Sequence, residues 1–207
     1  MSEKIKYYST NRKSKIVDFR EALLKGLAPD GGLYMPDRIP VMNHGFLANM
    51  TNMEYYMIAN EILKSFLNNE IDDDNIKNIC REAYNFDVPL EKVYGRKYIL
   101  RLDQGPTASF KDFAARLMAR LIHFYVKRDN MKLTILTATS GDTGSAVASA
   151  FHGLSGIDVI ILFPINEVSE MQRKQMTTLQ KNITVIGING KFDDCQKMAK
   201  LAFGDEG

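Results

Sequence analysis

The stretch Leu133-Thr134-Ile135-Leu136-Thr137-Ala138, followed by Thr139-Ser140-Gly141-Asp142-Thr143-Gly144-Ser145-Ala146 and then by Ile157-Asp158-Val159-Ile160-Ile161-Leu162-Phe163, decides the fold. Its outer pieces are short runs of aliphatic and β-branched residues with little polar alternation, as expected of strands covered on both faces. Between them Thr143 to His152 reads as a helix, so the order is strand, helix, strand. The same alternation continues outward. Upstream lie Lys97 to Leu102 and the helix Lys111 to Lys127; downstream come Gln172 to Leu179, Ile183 to Gly187 and Asp194 to Ala202. Residues 94–207 are therefore expected to be an α/β region built on a parallel sheet.

Residues 1–93 have a different rhythm and are expected to be mostly helical, the division falling near Pro89 to Arg96. Asp18 to Lys25 is a short helix candidate with Gly26 at its end, where a glycine permits a left-handed turn. Ala28-Pro29-Asp30-Gly31-Gly32 forces a tight loop. Met53 to Phe66 places Met57, Ile58, Ile62 and Phe66 at helical spacing, with Asn68-Asn69 closing it. Asp72-Asp73-Asp74 precedes a helix from Ile76 to Tyr84, where negative charge suits the N-terminus, so the trio reads as a cap and not as a metal cluster.

Composition narrows the function classes. The 207 residues are 45% hydrophobic and 25% charged, which excludes collagen-like, coiled-coil and wholly disordered chains. Lys and Arg number 27 against 25 Asp and Glu, a net charge of +2 with the signs interspersed, so nucleic acid is not an expected partner. No apolar h-region follows Met1-Ser2-Glu3-Lys4, and no apolar run reaches membrane-spanning length, so a cytoplasmic, membrane-free protein is expected. Cys80 and Cys195 stand far apart without a CxxC or His/Cys cluster, and no metal site is expected. Of the histidines, His44 falls in a polar loop, His123 on a solvated helix face and His152 at a helix end.

Two loops could carry chemistry. Gly105-Pro106-Thr107-Ala108-Ser109-Phe110-Lys111-Asp112-Phe113 joins a strand to a helix. On that helix Phe110, Phe113, Ala114, Leu117, Leu121 and Tyr125 form an expected apolar face, with Arg116, Arg120, His123 and Lys127 opposite. Lys111 lies on a third row with Ala115, Met118 and Ile122. An ammonium there would face the positive end of the helix dipole among apolar neighbours, both of which favour the free amine that attacks a carbonyl or pyridoxal phosphate in Schiff-base chemistry. The alternative is that Lys111 reaches water or pairs with Asp112. The second segment, Thr139 to Ala146, opens a helix beyond the carboxyl end of a strand, where amides and small hydroxyl residues receive an anion. It lacks the Gly-Lys-Ser/Thr ending of a nucleotide loop and the dinucleotide fingerprint, which leaves a carboxylate or phosphate, or else a plain N-cap by Ser140 or Asp142. Ser169-Glu170-Met171-Gln172 has the form of a capping box, and an aspartate of Phe192-Asp193-Asp194-Cys195 is expected to cap the last helix.

Taken together these residues resemble the threonine synthase family, fold type II pyridoxal-phosphate enzymes of the tryptophan-synthase-β-like fold. The resemblance rests on Tyr8-Ser9-Thr10, on Gly26 through Pro36, on Gly105-Pro106-Thr107 and on Ser109 through Phe113. It continues through Ala138 to Gly144, Val168-Ser169, Gln172, Gln175 through Thr178, and Phe192 through Gln196. It implies that Lys111 forms the Schiff base with pyridoxal 5′-phosphate and relays protons, that Thr139, Ser140, Gly141 and Thr143 bind the substrate carboxylate, and that Asp142 faces the cofactor. The implied reaction converts O-phospho-L-homoserine and water to L-threonine and phosphate. Gln104, Asn166 and Glu170 depart from residues common in the family, histidine, glycine and proline respectively.

The resemblance further implies an amino-terminal portion of such an enzyme. The family's glycine-rich loop for the cofactor phosphate and its contact to the pyridine nitrogen find no counterpart before Gly207, so the chain alone is expected to be inactive. Apolar surface meant for the missing carboxy-terminal half is expected to favour self-association, including a homodimer. Two other readings are a non-catalytic module that binds an anionic metabolite, and another lyase of the same fold such as a dehydratase. Against the last stands Asp30-Gly31-Gly32-Leu33, which belongs to the threonine synthase pattern.

Overall fold

Strand β1 (Tyr7–Ser9) pairs antiparallel with β2 (Tyr34–Pro36), Tyr8 lying opposite Met35. Between them the Asp18 carboxylate accepts the N–H of Glu21 and opens α1 (Phe19–Lys25), which Gly26 ends at φ 68°. The loop at residues 28–32 is drawn onto β1 by one side chain. Asp30 accepts from Ser9 Oγ at 2.6 Å, Gly32 N at 3.0 Å and Lys13 N at 2.9 Å. These bonds favour the charged form and hold its carboxyl down at about 2, the Ser9 hydroxyl contributing most. Ile5, Tyr7, Val17 and Ala22 form the small core beneath, with Phe19, Tyr34 and Phe66 packed against it.

This computed structural model describes residues 4–67 and 70–203. The expected closure by Asn68-Asn69 lies outside the described residues, as do Met1-Ser2-Glu3 and Gly204 to Gly207. Three helices complete the first unit, Met1–Asn85: α2 (His44–Asn49), α3 (Tyr55–Leu67) and α4 (Asp73–Ala83). His44, expected in a loop, is instead the first residue of α2, because the Asn43 side chain accepts the N–H of Phe46 at 2.6 Å and starts a helix there. Asp72 caps α4, accepting from Asn75 N at 3.0 Å. Helices α3 and α4 pack together, and burial there pushes the Cys80 thiol up to about 11.

The second unit, Phe86–Gly207, opens with a hairpin of β3 (Leu90–Tyr94) and β4 (Lys97–Leu100). Residues 97–100 form a strand ahead of a helix as expected, but the expectation that this strand belongs to the parallel sheet is corrected here. Tyr94-Gly95-Arg96-Lys97 turns the chain back, and β4 pairs antiparallel with β3, Leu90 opposite Leu100. Every residue of both strands is exposed, including Leu90, Val93, Tyr98, Ile99 and Leu100.

Then follow α5 (Lys111–Arg128), β5 (Leu133–Ala138), α6 (Asp142–Phe151), β6 (Ile157–Pro164), α7 (Glu170–Thr177), β7 (Ile183–Ile188) and α8 (Phe192–Phe203). The sheet is parallel in the order β5-β6-β7, with Leu133 opposite Ile157 and Val159 opposite Ile183. The protein is thus α/β with a parallel sheet, and the nearly unbroken apolar run of β6 is its buried centre. The Asn182 amide fixes the turn after α6, donating to the carbonyls of Phe151 at 2.9 Å and Ile157 at 2.8 Å while accepting from Gly153 N at 2.7 Å. Helix α8 lays Cys195 and Ala199 on Leu162. Its expected aspartate cap is corrected: the helix starts at Phe192, and Asp194, inside the first turn, reaches back to the N–H of Lys191 at 2.8 Å.

The expected face of α5 is also corrected. The helix buries Asp112, Ala115, Arg116, Ala119, Leu121, Ile122, Tyr125 and Val126, whereas Phe110 is 61% exposed. Its buried stripe runs through Asp112, Ala115, Ala119, Ile122 and Val126, while Met118 of the Lys111 row is exposed. Two arginines expected in solvent make this possible, since their stems cover apolar surface while their heads find partners. Arg116 lies over the ring of Phe86 at 5.8 Å, and Arg120 donates to the Ala150 carbonyl at 2.9 Å. His123 Nε2 lies 3.4 Å from Ser155 Oγ. Among the described residues no helix is long and apolar enough to cross a membrane.

Candidate functional site

Beyond the carboxyl ends of β5 and β6, the first turns of α5, α6 and α7 meet. Lys111 is the first residue of α5, Asp142 the first of α6, and Gln172 lies in the opening turn of α7. Lys111 Nζ stands 3.7 Å from Asp142 Oδ2 and 4.5 Å from the centre of the Phe110 ring. The Gln172 side-chain N–H donates to the other carboxylate oxygen, Asp142 Oδ1. Lys111 is therefore not surrounded by apolar groups alone, as its helix row suggests; a carboxylate and a ring face, both attractive to a cation, lie beside it. Its partner is Asp142, far along the chain, and not the adjacent Asp112.

The fully buried Asp112 has a different task. Its two carboxylate oxygens accept from Thr107 N and Thr107 Oγ1, each at 2.8 Å, which closes the loop before α5 into a fixed turn. Gly105 lets that turn close, since a Cβ there would stand 2.5 Å from Asp112 Oδ2. Ser109 Oγ accepts the N–H of Lys111 at 3.3 Å, and Gln175 Nε2 donates to the Thr107 carbonyl at 3.4 Å. The backbone position of Lys111 is thus set by Asp112, Ser109 and Gln175.

The loop at residues 139–141 is built on Thr139, which is 1% exposed. Its Oγ1 accepts from Gly141 N at 2.9 Å and Gly144 N at 2.8 Å. The expected N-cap by Ser140 or Asp142 is corrected: Gly141 occupies that position at φ 139°, without a side-chain cap, and the threonine two residues earlier does the capping. A helix has no internal acceptor for its first amides. Thr139 takes the third, and the N–H groups of Asp142 and Thr143 have no acceptor among the described residues. They form a small donor surface at the positive end of the α6 dipole, on the turn whose Asp142 carboxylate meets Lys111.

The structure brings Lys111 and Asp142 together, with Thr143 next to Asp142 on the same turn, and Thr139 holds that turn from within. Sequence reasoning gave Gln172 only an architectural role, Asp112 only a possible pairing with Lys111, and Thr107 and Gln175 no individual role. Gln172 does complete the capping box, its Oε1 accepting from Ser169 N at 3.3 Å and Ser169 Oγ at 3.0 Å, yet the same amide also reaches Asp142. The motif signalled the first bond and could not signal the second. Among the described residues no group of His, Cys, Asp and Glu side chains converges as a metal site requires.

Residues 87–207 match the family model described as pyridoxal-phosphate dependent enzyme. The chain belongs to this family. Its residues 6–84 match a second model, threonine synthase N terminus, so both parts of this pyridoxal-phosphate-family chain are covered. Threonine synthase of Pseudomonas aeruginosa is 39% identical over 98% of this chain and 45% of its own length, and that of Escherichia coli is 37% identical over 98% and 47%. The crystal structure of threonine synthase with bound pyridoxal phosphate from Brucella melitensis superposes with a TM-score of 0.91 at 37% identity, covering 98% of this chain and 45% of that one. The chain spans a little under half the length of the curated relatives it matches.

Proposed function

We propose that this chain supplies the lysine-bearing part of a threonine synthase, which converts O-phospho-L-homoserine and water to L-threonine and phosphate. The observation that carries the reading is the meeting of three helix N-termini around Lys111 Nζ, with the unaccepted amides of Asp142 and Thr143 on the turn whose carboxylate meets it. A primary amine next to an anion-receiving loop fits an aldehyde cofactor and an amino-acid substrate. Pyridoxal phosphate, when bound, supplies an electron sink for carbanion chemistry at the substrate's α-carbon.

In this reading the Lys111 amine holds the cofactor and afterwards moves protons at the substrate's α and β carbons, within reach because Asp112 fixes the turn before it. The amides of Asp142 and Thr143, with the Ser140 hydroxyl and the close backbone approach that Gly141 permits, receive the substrate carboxylate. Thr139 shapes that loop from below. Asp142 faces Lys111 Nζ and the cofactor. Residues 94–207 carry these groups. The grip on the cofactor's phosphate is assigned to the part of the relatives beyond this match, so the chain alone is inactive and holds the cofactor weakly. The exposed apolar hairpin of β3 and β4 is then surface for that complementary part or, without it, for a second copy of the chain.

The test joins this chain to the carboxy-terminal remainder of the Pseudomonas aeruginosa relative. The chimaera is expected to release phosphate from O-phospho-L-homoserine, and borohydride with pyridoxal phosphate is expected to label Lys111. Lys111→Ala should abolish both. Phosphate release that survives Lys111→Ala would refute the assignment, and ammonia release from threonine without phosphate release would favour a dehydratase.

A further inference from the structure

We infer that Gln172 is a positioning residue for Lys111: its carboxamide, oriented by the α7 cap, holds the Asp142 carboxylate toward the lysine amine. The inference rests on the reading of Lys111 as the reacting amine.

A glutamine side chain can present its oxygen and nitrogen either way round, and here its surroundings choose. The N–H and the hydroxyl of Ser169 both point at Oε1, 3.3 and 3.0 Å away, and both are donors. Oxygen must face them, which turns the NH2 group outward. The acceptor it meets is Asp142 Oδ1. With that oxygen occupied, Oδ2 faces Lys111 Nζ at 3.7 Å. The backbone supports the tie from below, since Ser145 Oγ of α6 lies 3.2 Å from the Gly141 carbonyl and 3.4 Å from that of Gln172. Three helix ends are thereby joined in series, Ser169 to Gln172, Gln172 to Asp142, Asp142 to Lys111.

The choice of glutamine carries the argument. A capping box accepts Glu or Gln equally, because only the acceptor oxygen is used. A glutamate at this position would cap α7 as well, but it would set a second carboxylate against Asp142. Capping alone therefore does not call for Gln at residue 172; holding a carboxylate does.

The experiment measures competitive acetylation of Lys111 by acetic anhydride at one fixed pH, relative to the exposed Lys92 of the same molecule, with no cofactor present. Asp142→Asn sets the scale by removing the neighbouring carboxylate, and is expected to speed labelling about twofold to threefold, the effect of a partly exposed ion pair. Gln172→Met, which frees Asp142 to turn away, should shift labelling in the same direction. Gln172→Glu keeps the cap and adds negative charge, so it should slow labelling by a similar factor. Opposite shifts in the two Gln172 variants support positioning. Unchanged labelling in both, or parallel changes that track loss of melting temperature, would show that Gln172 only caps α7. Unchanged labelling in Asp142→Asn would overturn the Lys111–Asp142 pairing itself. Because acetylation needs no cofactor, these outcomes are separate from whether pyridoxal phosphate adds to Lys111, which the borohydride label reads.

Discussion

Asp112→Ala removes the clasp that sets the turn before Lys111. Two bonds are lost, from Thr107 N and Thr107 Oγ1, each 2.8 Å long and each to a charged acceptor that is fully buried. Such bonds contribute about 1.5–3 kcal/mol apiece when both partners are buried. Thr107 is only half-buried, so its amide and hydroxyl recover water in the variant, and relief of the buried charge offsets a further part. The expected net loss is about 2–3 kcal/mol. Asp112→Asn keeps an acceptor for the amide while the threonine hydroxyl turns to accept from the new NH2 group, and about 1 kcal/mol is expected. Urea unfolding followed by circular dichroism and extrapolated linearly to water gives both numbers. The turn should loosen as well, so trypsin cleavage after Lys111 or Arg101 should accelerate in Asp112→Ala. A loss below about 0.5 kcal/mol, with unchanged cleavage, would refute the idea that this carboxylate organises the loop.

Thr139→Val leaves the amides of Gly141 and Gly144 without their acceptor in a buried place and should cost about 2–3 kcal/mol, whereas Thr139→Ser should stay within about 1 kcal/mol; equal losses would mean the hydroxyl does not matter. Gly141→Ala meets both a φ of 139° and the side chain of Gln172, and urea melts should show at least about 2 kcal/mol lost, a neutral result counting against the strained geometry. The Asp30 carboxyl is held down at about 2 in the folded chain, below its unfolded value of about 3.9, so the stability it adds is complete above about pH 4 and disappears as pH falls toward 2. Melting curves of Asp30→Asn and the parent should accordingly differ at pH 6 and converge near pH 2, and a gap that persists at pH 2 would contradict the linkage.

The parallel sheet was legible because β6 is covered on both sides, and a strand so placed needs an apolar residue at nearly every position. Caps at Asp72 and Ser169 were legible for a similar reason, each being a local bond between near neighbours in the chain. Where a residue serves two surroundings the sequence says less. Arg116 reads as solvent-facing from its charge, yet its stem packs on Phe86, and this inverted the expected face of α5. The candidate site was legible at Lys111 and at the Thr139 to Thr143 loop. It was not legible at Asp112, whose partner Thr107 lies across a turn, nor in the pairing of Lys111 with Asp142, which only the packing of α5 against α6 brings about. The strands β1 and β2 are too short to show any period.

The hydroxyl of Thr139 has a consequence for any molecule that arrives. Because it accepts from two of the loop's own N–H groups, the loop keeps its shape with nothing bound, and the ordering of residues 139–144 is met during folding and not at binding. Under the proposed function, a carboxylate landing there would meet two amides already in place. Affinity then comes from a receptor already cast, and a variant that softens the cast should slow capture and hasten release of the anion while leaving the lysine's own chemistry intact.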